Sequence, residues 1–142
     1  MKLFITFLLS FSILFASDGG VIRVQILEKI FSGLSIEEEI VIWTDNKNLL
    51  DIFEEHERYK VTQDCQDANF VILENSSDLK PVCLDKNIFV LNYTLLTDLP
   101  QSFGALFWKK GRPNIILLEP RIKANSIKVS KELEPYLEER IW

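Results

Sequence analysis

Few side chains in this sequence are equipped to bind, pair or react, and they lie in four places. Asp45 follows the β-branched run Ile40-Val41-Ile42-Trp43, in the turn Thr44-Asp45-Asn46-Lys47-Asn48. With that run as a strand of a parallel sheet, Asp45 stands at its carboxyl end, the edge where open α/β sheets bind ligands. Its carboxylate would suit a cation or accept a phosphoryl group. The plainer role is a helix cap, because Asp and Asn oxygens accept the free N–H groups of a first turn. Receiver-type phosphoacceptor chemistry would need an acidic pair on this loop, a further Asp after a later strand and a late Lys. The loop offers Asp45 alone, so capping is favoured.

His56 is the chain's one histidine and sits in the acidic run Glu54-Glu55-His56-Glu57. A zinc-protease helix needs a second His one turn away, and a triad needs a Ser or Cys nucleophile beside its base. Neither is visible nearby in sequence, so a solvated His is expected. The five Gly are scattered, with no G-x-G or G-K-S/T to cradle a phosphate. The sequence therefore calls for no catalytic residue, no metal and no cofactor.

Cys65 and Cys83 are the only cysteines and form no C-x-x-C, which excludes a thioredoxin-like motif. An even count favours one disulfide in an oxidising compartment. The fourth place is Trp108-Lys109-Lys110-Gly111-Arg112, the densest basic patch, where an aromatic ring adjoins three cations. Such a set suits docking on an acidic partner or on anionic headgroups. The plainer role is a solvated turn whose charges keep an edge strand from pairing.

The elements that hold these residues follow from length and pattern. A chain of 142 residues is one domain, and 47% hydrophobic residues with ten Phe and three Trp exclude disorder. A net charge of -5 argues against a nucleic-acid partner, which needs Lys and Arg to neutralise phosphates. Lys2 followed by the apolar run Leu3 to Ala16, then Asp18-Gly19-Gly20, has the anatomy of a signal peptide and is too short to span a bilayer. Residues 1–17 are therefore expected to be a cleaved export signal, and 18–142 a single domain that begins between Ser17 and Gly20.

Within that domain, Ile22, Ile26, Ile30 and Leu34 suit a helix over Val21 to Leu34, ended by Gly33 and Ser35. Glu39 to Trp43 reads as a buried strand, Asn48 to Tyr59 as an amphipathic helix, and Ala68–Leu73 and Asn87–Asn92 as strands. Thr94 to Leu99 is short for a helix and stops at Pro100. Gly104–Trp108 and Asn114–Leu118 flank the five-residue turn Lys109 to Pro113 as a β-hairpin. Pro120 and Ser130 mark helix starts, the second interrupted by Pro135. The fold class is thus α/β, a mostly parallel central sheet with flanking helices and a C-terminal β-hairpin. Each cysteine lies a few residues before a strand, so parallel neighbouring strands would bring both to one end of the sheet, within disulfide reach. A structural bond and a redox-sensing one both fit the sequence.

This order of pieces resembles the YfiR-like family of small exported regulatory proteins. The matching segments are Val41-Ile42-Trp43-Thr44-Asp45-Asn46, Asp64-Cys65-Gln66-Asp67-Ala68-Asn69-Phe70-Val71-Ile72-Leu73, Ile88-Phe89-Val90-Leu91, the hairpin Ala105 to Leu118, and the tail Pro120 to Leu133. The tail, with its apolar-x-apolar-Ser before the last helix, is the most specific. Phe103-Gly104 replaces the family's Gly-Gly before the hairpin. The resemblance implies a periplasmic protein that relays a signal rather than catalyses, binding the outer domain of a membrane signalling protein of the diguanylate cyclase or sensor kinase type. Asp45 as a ligand residue, and Trp108, Lys109, Lys110 and Arg112 as partner contacts, are the candidate sites. A homodimer is compatible with this reading. The alternative function is a periplasmic small-ligand-binding module that uses the crevice at the carboxyl ends of the strands.

Overall fold

The computed structural model describes residues 19–56, 58–75 and 79–141. The export signal expected over 1–17 lies outside the described residues. Helix α1 (Gly19–Ser32) leads into a two-residue strand β1 (Leu34–Ser35). It buries Val24, Leu27, Ile30 and Phe31, whereas Ile22, expected on the buried stripe, is exposed. A four-residue step turns about 40° past a full turn at each repeat and drifts off any fixed face. The buried set Val24, Leu27, Ile30 and Phe31 mixes three- and four-residue steps and so stays on one face.

Strand β2 (Val41–Thr44) starts two residues later than expected. The Asn69 side chain holds its entry, accepting the Val41 N–H at 2.8 Å and donating to the Glu39 carbonyl. Helix α2 (Lys47–Glu55) follows and buries Leu49, Leu50 and Phe53. It ends four residues short of the expected Tyr59, because Tyr59 turns back edge-on to Phe31 and Phe53, at ring-centroid distances of 6.3 and 6.2 Å. Burial raises the Tyr59 phenol above its ordinary pKa, against the opposing charge of Arg58 and with that of Glu28. The next residues, β3 (Lys60–Val61), pair parallel with β2.

A 3₁₀ turn (Cys65–Asp67) leads to β4 (Phe70–Leu73), and a second one (Pro81–Cys83) leads to β5 (Asn87–Val90). Helix α3 (Tyr93–Asp98) is real despite its six residues, since the Asn92 side chain caps it by accepting the Thr94 N–H. Then come β6 (Ser102–Lys109), β7 (Arg112–Leu118), α4 (Glu119–Ala124) with Pro120 in its first turn, and β8 (Lys128–Val129), which pairs antiparallel with β1. The second tail helix is corrected: Lys131–Tyr136 is 3₁₀, since Pro135 has no N–H for an α-helical bond, and β9 (Leu137–Glu138) follows.

The main sheet has the order β3-β2-β4-β5-β6-β7-β9. It is parallel from β3 to β6, antiparallel at the hairpin, and parallel again between β7 and β9. The α/β class with a mostly parallel sheet and C-terminal hairpin is therefore what the chain adopts. Both faces of β4 and β5 are covered, which explains their unbroken apolar sequence. One face packs Phe70, Phe89, Phe103 and Leu106 against α1 and α2; the other packs Val71, Leu73, Ile88 and Val90 against α3 and the cysteine turns. Phe103 joins the first face through a register shift, Ile88 pairing with Ser102 but Phe89 with Gly104. Gly104 is needed there, because a Cβ would come within 2.7 Å of the Ile116 carbonyl.

Arg121 of α4 closes the second layer. Its guanidinium donates to the carbonyls of Leu96 and Ser102 at 2.8 and 2.9 Å, holding the end of α3 to the start of β6. Replacing Arg121 by Met should cost about 2 kcal/mol, the worth of charge-assisted bonds plus carbonyls left unpaired, read as a lower urea midpoint at unchanged slope.

Candidate functional site

The hairpin outruns the sheet that carries it. On its β5 side, β6 is paired only as far as Ala105, opposite Val90; on the far side, β7 meets β9 only at Leu117 and Leu118. From Leu106 to Lys109 the two strands pair with each other alone, a ribbon about 13 Å long. Phe107 anchors its base, packing edge-on against Tyr93 of α3 at 5.1 Å. Trp108 to Arg112 stand clear and exposed.

The turn itself is tighter than the five residues expected. Lys109 pairs with Arg112, and Lys110-Gly111 make a two-residue loop with φ of 54° and 75°. Positive φ at both positions is the turn whose twist matches a right-handed hairpin, and Gly111 adopts it without strain. Its tip therefore holds Lys109, Lys110 and Arg112 close together, with the half-exposed Trp108 ring one residue back on the α1 face. Among the described residues, none of the three cations makes an ion pair.

Between this ribbon and the first turn of α1 runs a cleft of about 540 Å³, lined by Gly20, Ile22, Arg23, Asn48, Glu74 and Trp108, with Leu91 and Leu106 as its floor. It lies at the carboxyl ends of the parallel strands. Sequence reasoning missed it, placing Ile22 in the core and giving Arg23 and Glu74 no role; the exposed first turn of α1 depends on where that helix sits. Arg23 and Glu74 form an ion pair at 3.1 Å, and Asn46 donates to the same carboxylate.

Asp45 stands where expected, at the end of β2, but it does not cap α2. Asn46 does, accepting the Leu49 N–H at 3.1 Å. One residue earlier, Asp45 faces the neighbouring strand end, and its two oxygens accept the N–H groups of Glu74 and Asn75 at 2.9 and 2.7 Å. It spans the crevice between β2 and β4, the point where the strand order reverses.

Cys65 and Cys83 form the disulfide, with Cα atoms 6.0 Å apart. Both are buried, at the amino ends of β4 and β5 and so at the opposite end of the sheet from the hairpin tip. His56 closes α2 and meets Glu28 of α1 at 3.2 Å, a link between helices. Among the described residues, no three His, Cys, Asp or Glu side chains are grouped to hold a metal. No protein-family model matches the chain, and no curated protein matches it.

Proposed function

We propose that this is an exported, non-catalytic regulatory protein of the periplasm that docks its hairpin on the outer domain of a membrane signalling protein, of the diguanylate cyclase or sensor kinase type. The resemblance to the YfiR-like family supplies the partner class. The observation that carries the docking is the ribbon: three cations that, among the described residues, make no ion pair, beside an exposed Trp on an otherwise acidic chain. A turn that only reverses the chain needs no aromatic ring in solvent, and aromatic plus Arg is the composition of an interface core. A disulfide is compatible with an oxidising compartment, and among the described residues no helix is long and apolar enough to cross a membrane. The alternative is a small-ligand module that uses the cleft at the carboxyl ends of the strands, with Asp45 engaged by the Glu74 and Asn75 N–H groups rather than lining it.

The test uses membranes from the cells that make the protein. They should retain the mature chain at low salt and release it at high salt, while protein-free vesicles of the same lipids retain far less. Replacing Lys109, Lys110 and Arg112 by Ser should cut retention at least about tenfold, since charges at an interface set encounter and salt dependence. The same variant should shift unfolding free energy by no more than about 0.5 kcal/mol. Retention unaffected by the triple replacement across the salt series would reduce the tip to a solvated turn.

A further inference from the structure

The two edges of the ribbon are not equivalent. Lys109 and Arg112 close the two-residue loop, so they exchange backbone hydrogen bonds, and the next pair, Trp108 with Pro113, does not. The N–H and C=O of Trp108 therefore aim away from β7, towards the side that β5 has already left. On the β7 side, the same position is Pro113, which has no N–H to offer, and Arg112 stands beside it. Pro and charge on an edge are how sheets refuse a further strand. Both edges carry a charge, Lys109 on β6 and Arg112 on β7, but the proline is present on the β7 edge alone, so only the β6 edge keeps an outward N–H.

The edge that keeps its N–H borders the cleft through Trp108. Among the described residues, two of the few large apolar side chains left in solvent, Ile22 at 45% and Trp108 at 44% exposure, line it together. Lys109, Lys110 and Arg112 line a neighbouring hollow with Asn114, Lys109 and Arg112 alternating with Trp108 on the ribbon's other face. We infer that this edge takes up an extended segment of the partner protein as an added β-strand. Backbone bonds to Trp108 hold it, alternate apolar residues lie between Ile22 and Trp108, and acidic residues pass Lys109, Lys110 and Arg112. Strand addition to an open edge derives its affinity from main-chain bonds and its specificity from every second side chain. The occupant is a peptide strand rather than a lipid headgroup, because a headgroup would use the cations and leave the edge and the apolar walls unsatisfied. The inference rests on the docking reading and adds its geometry.

The probe is a blocked seven-residue peptide alternating valine with aspartate or glutamate, added to the mature chain and followed by amide NMR. Binding should slow exchange of the Trp108 amide at least about tenfold and shift the signals of Ile22 and Arg23. The same peptide with a central proline should not bind. Trp108→Pro, which removes the outward N–H and leaves the β6–β7 bonds intact, should lose at least about tenfold in affinity, whereas Trp108→Val should lose less. Peptide binding that leaves the Trp108 amide unprotected, or that tolerates the central proline, overturns strand addition and leaves charge-driven docking in place. Failure of the peptide to bind also overturns it, and uptake by phosphatidylglycerol vesicles instead would assign the tip to a membrane surface. The exchange measurement on the unaltered chain stands even if Trp108→Pro does not fold. The membrane-retention test is independent of all these outcomes, so the two readings fail separately.

Discussion

Replacing Phe31 by Ala should destabilise the protein by about 3–5 kcal/mol, the cost of truncating a fully enclosed aromatic ring. Phe31 is the side chain through which α1 grips the sheet. It is 1% exposed and meets Tyr59, Phe70 and Phe89 edge-on, with centroids 5.6 to 6.3 Å apart. Edge-to-face pairs add to area burial, and here three of them share one ring. Against a total of about 5–15 kcal/mol for a domain, this loss lowers the melting temperature by roughly 10–20 °C. The cleft should loosen with it, since α1 supplies one wall. Urea unfolding checks the magnitude; a loss below about 1 kcal/mol would show that the ring cluster does not hold the helix.

The second large effect is the disulfide. Cys65 and Cys83 are 18 residues apart, and closing a loop of that size contributes about 3 kcal/mol on the chain-entropy model. Cys65→Ala with Cys83→Ala should lower stability by that amount, and the loss should add to that of Phe31→Ala, because the two sites belong to different apolar layers. Both sulfurs are buried, so mild glutathione should leave the bond intact in the folded protein and reduce it only after unfolding. Maleimide labelling before and after reduction reads the outcome. Reduction of the native protein by glutathone alone, without unfolding, would support the redox-sensing alternative.

Much of the fold was legible because burial imposes its own pattern. Strands β4 and β5, covered on both faces, read as unbroken apolar runs, and the basic, Gly-containing stretch Lys109 to Pro113 between two apolar runs announced the hairpin, though not its two-residue loop. Strands β1, β3, β8 and β9 left no trace, since two residues carry no period and exist only through their tertiary partners. The α2 boundary failed for a related reason: Tyr59 fits the helical pattern, yet the pocket between Phe31 and Phe53 claims it. At the site, the basic tip and Trp108 were visible from composition and the cysteine pairing from strand order. Assigning the cap to Asp45 or to Asn46 was not legible, because adjacent residues with similar side chains differ only in which strand end they face. The cleft was equally hidden, its walls coming from α1, α2 and the ribbon.

The most direct measurement places a photo-cross-linking residue at Lys110, on the tip, and in a second strain at Lys86, at the disulfide end of the sheet, then identifies what each captures in intact cells. Docking through the hairpin predicts that Lys110 traps the outer domain of a membrane signalling protein and that Lys86 does not. Capture of that domain from Lys86 with none from Lys110 would contradict it.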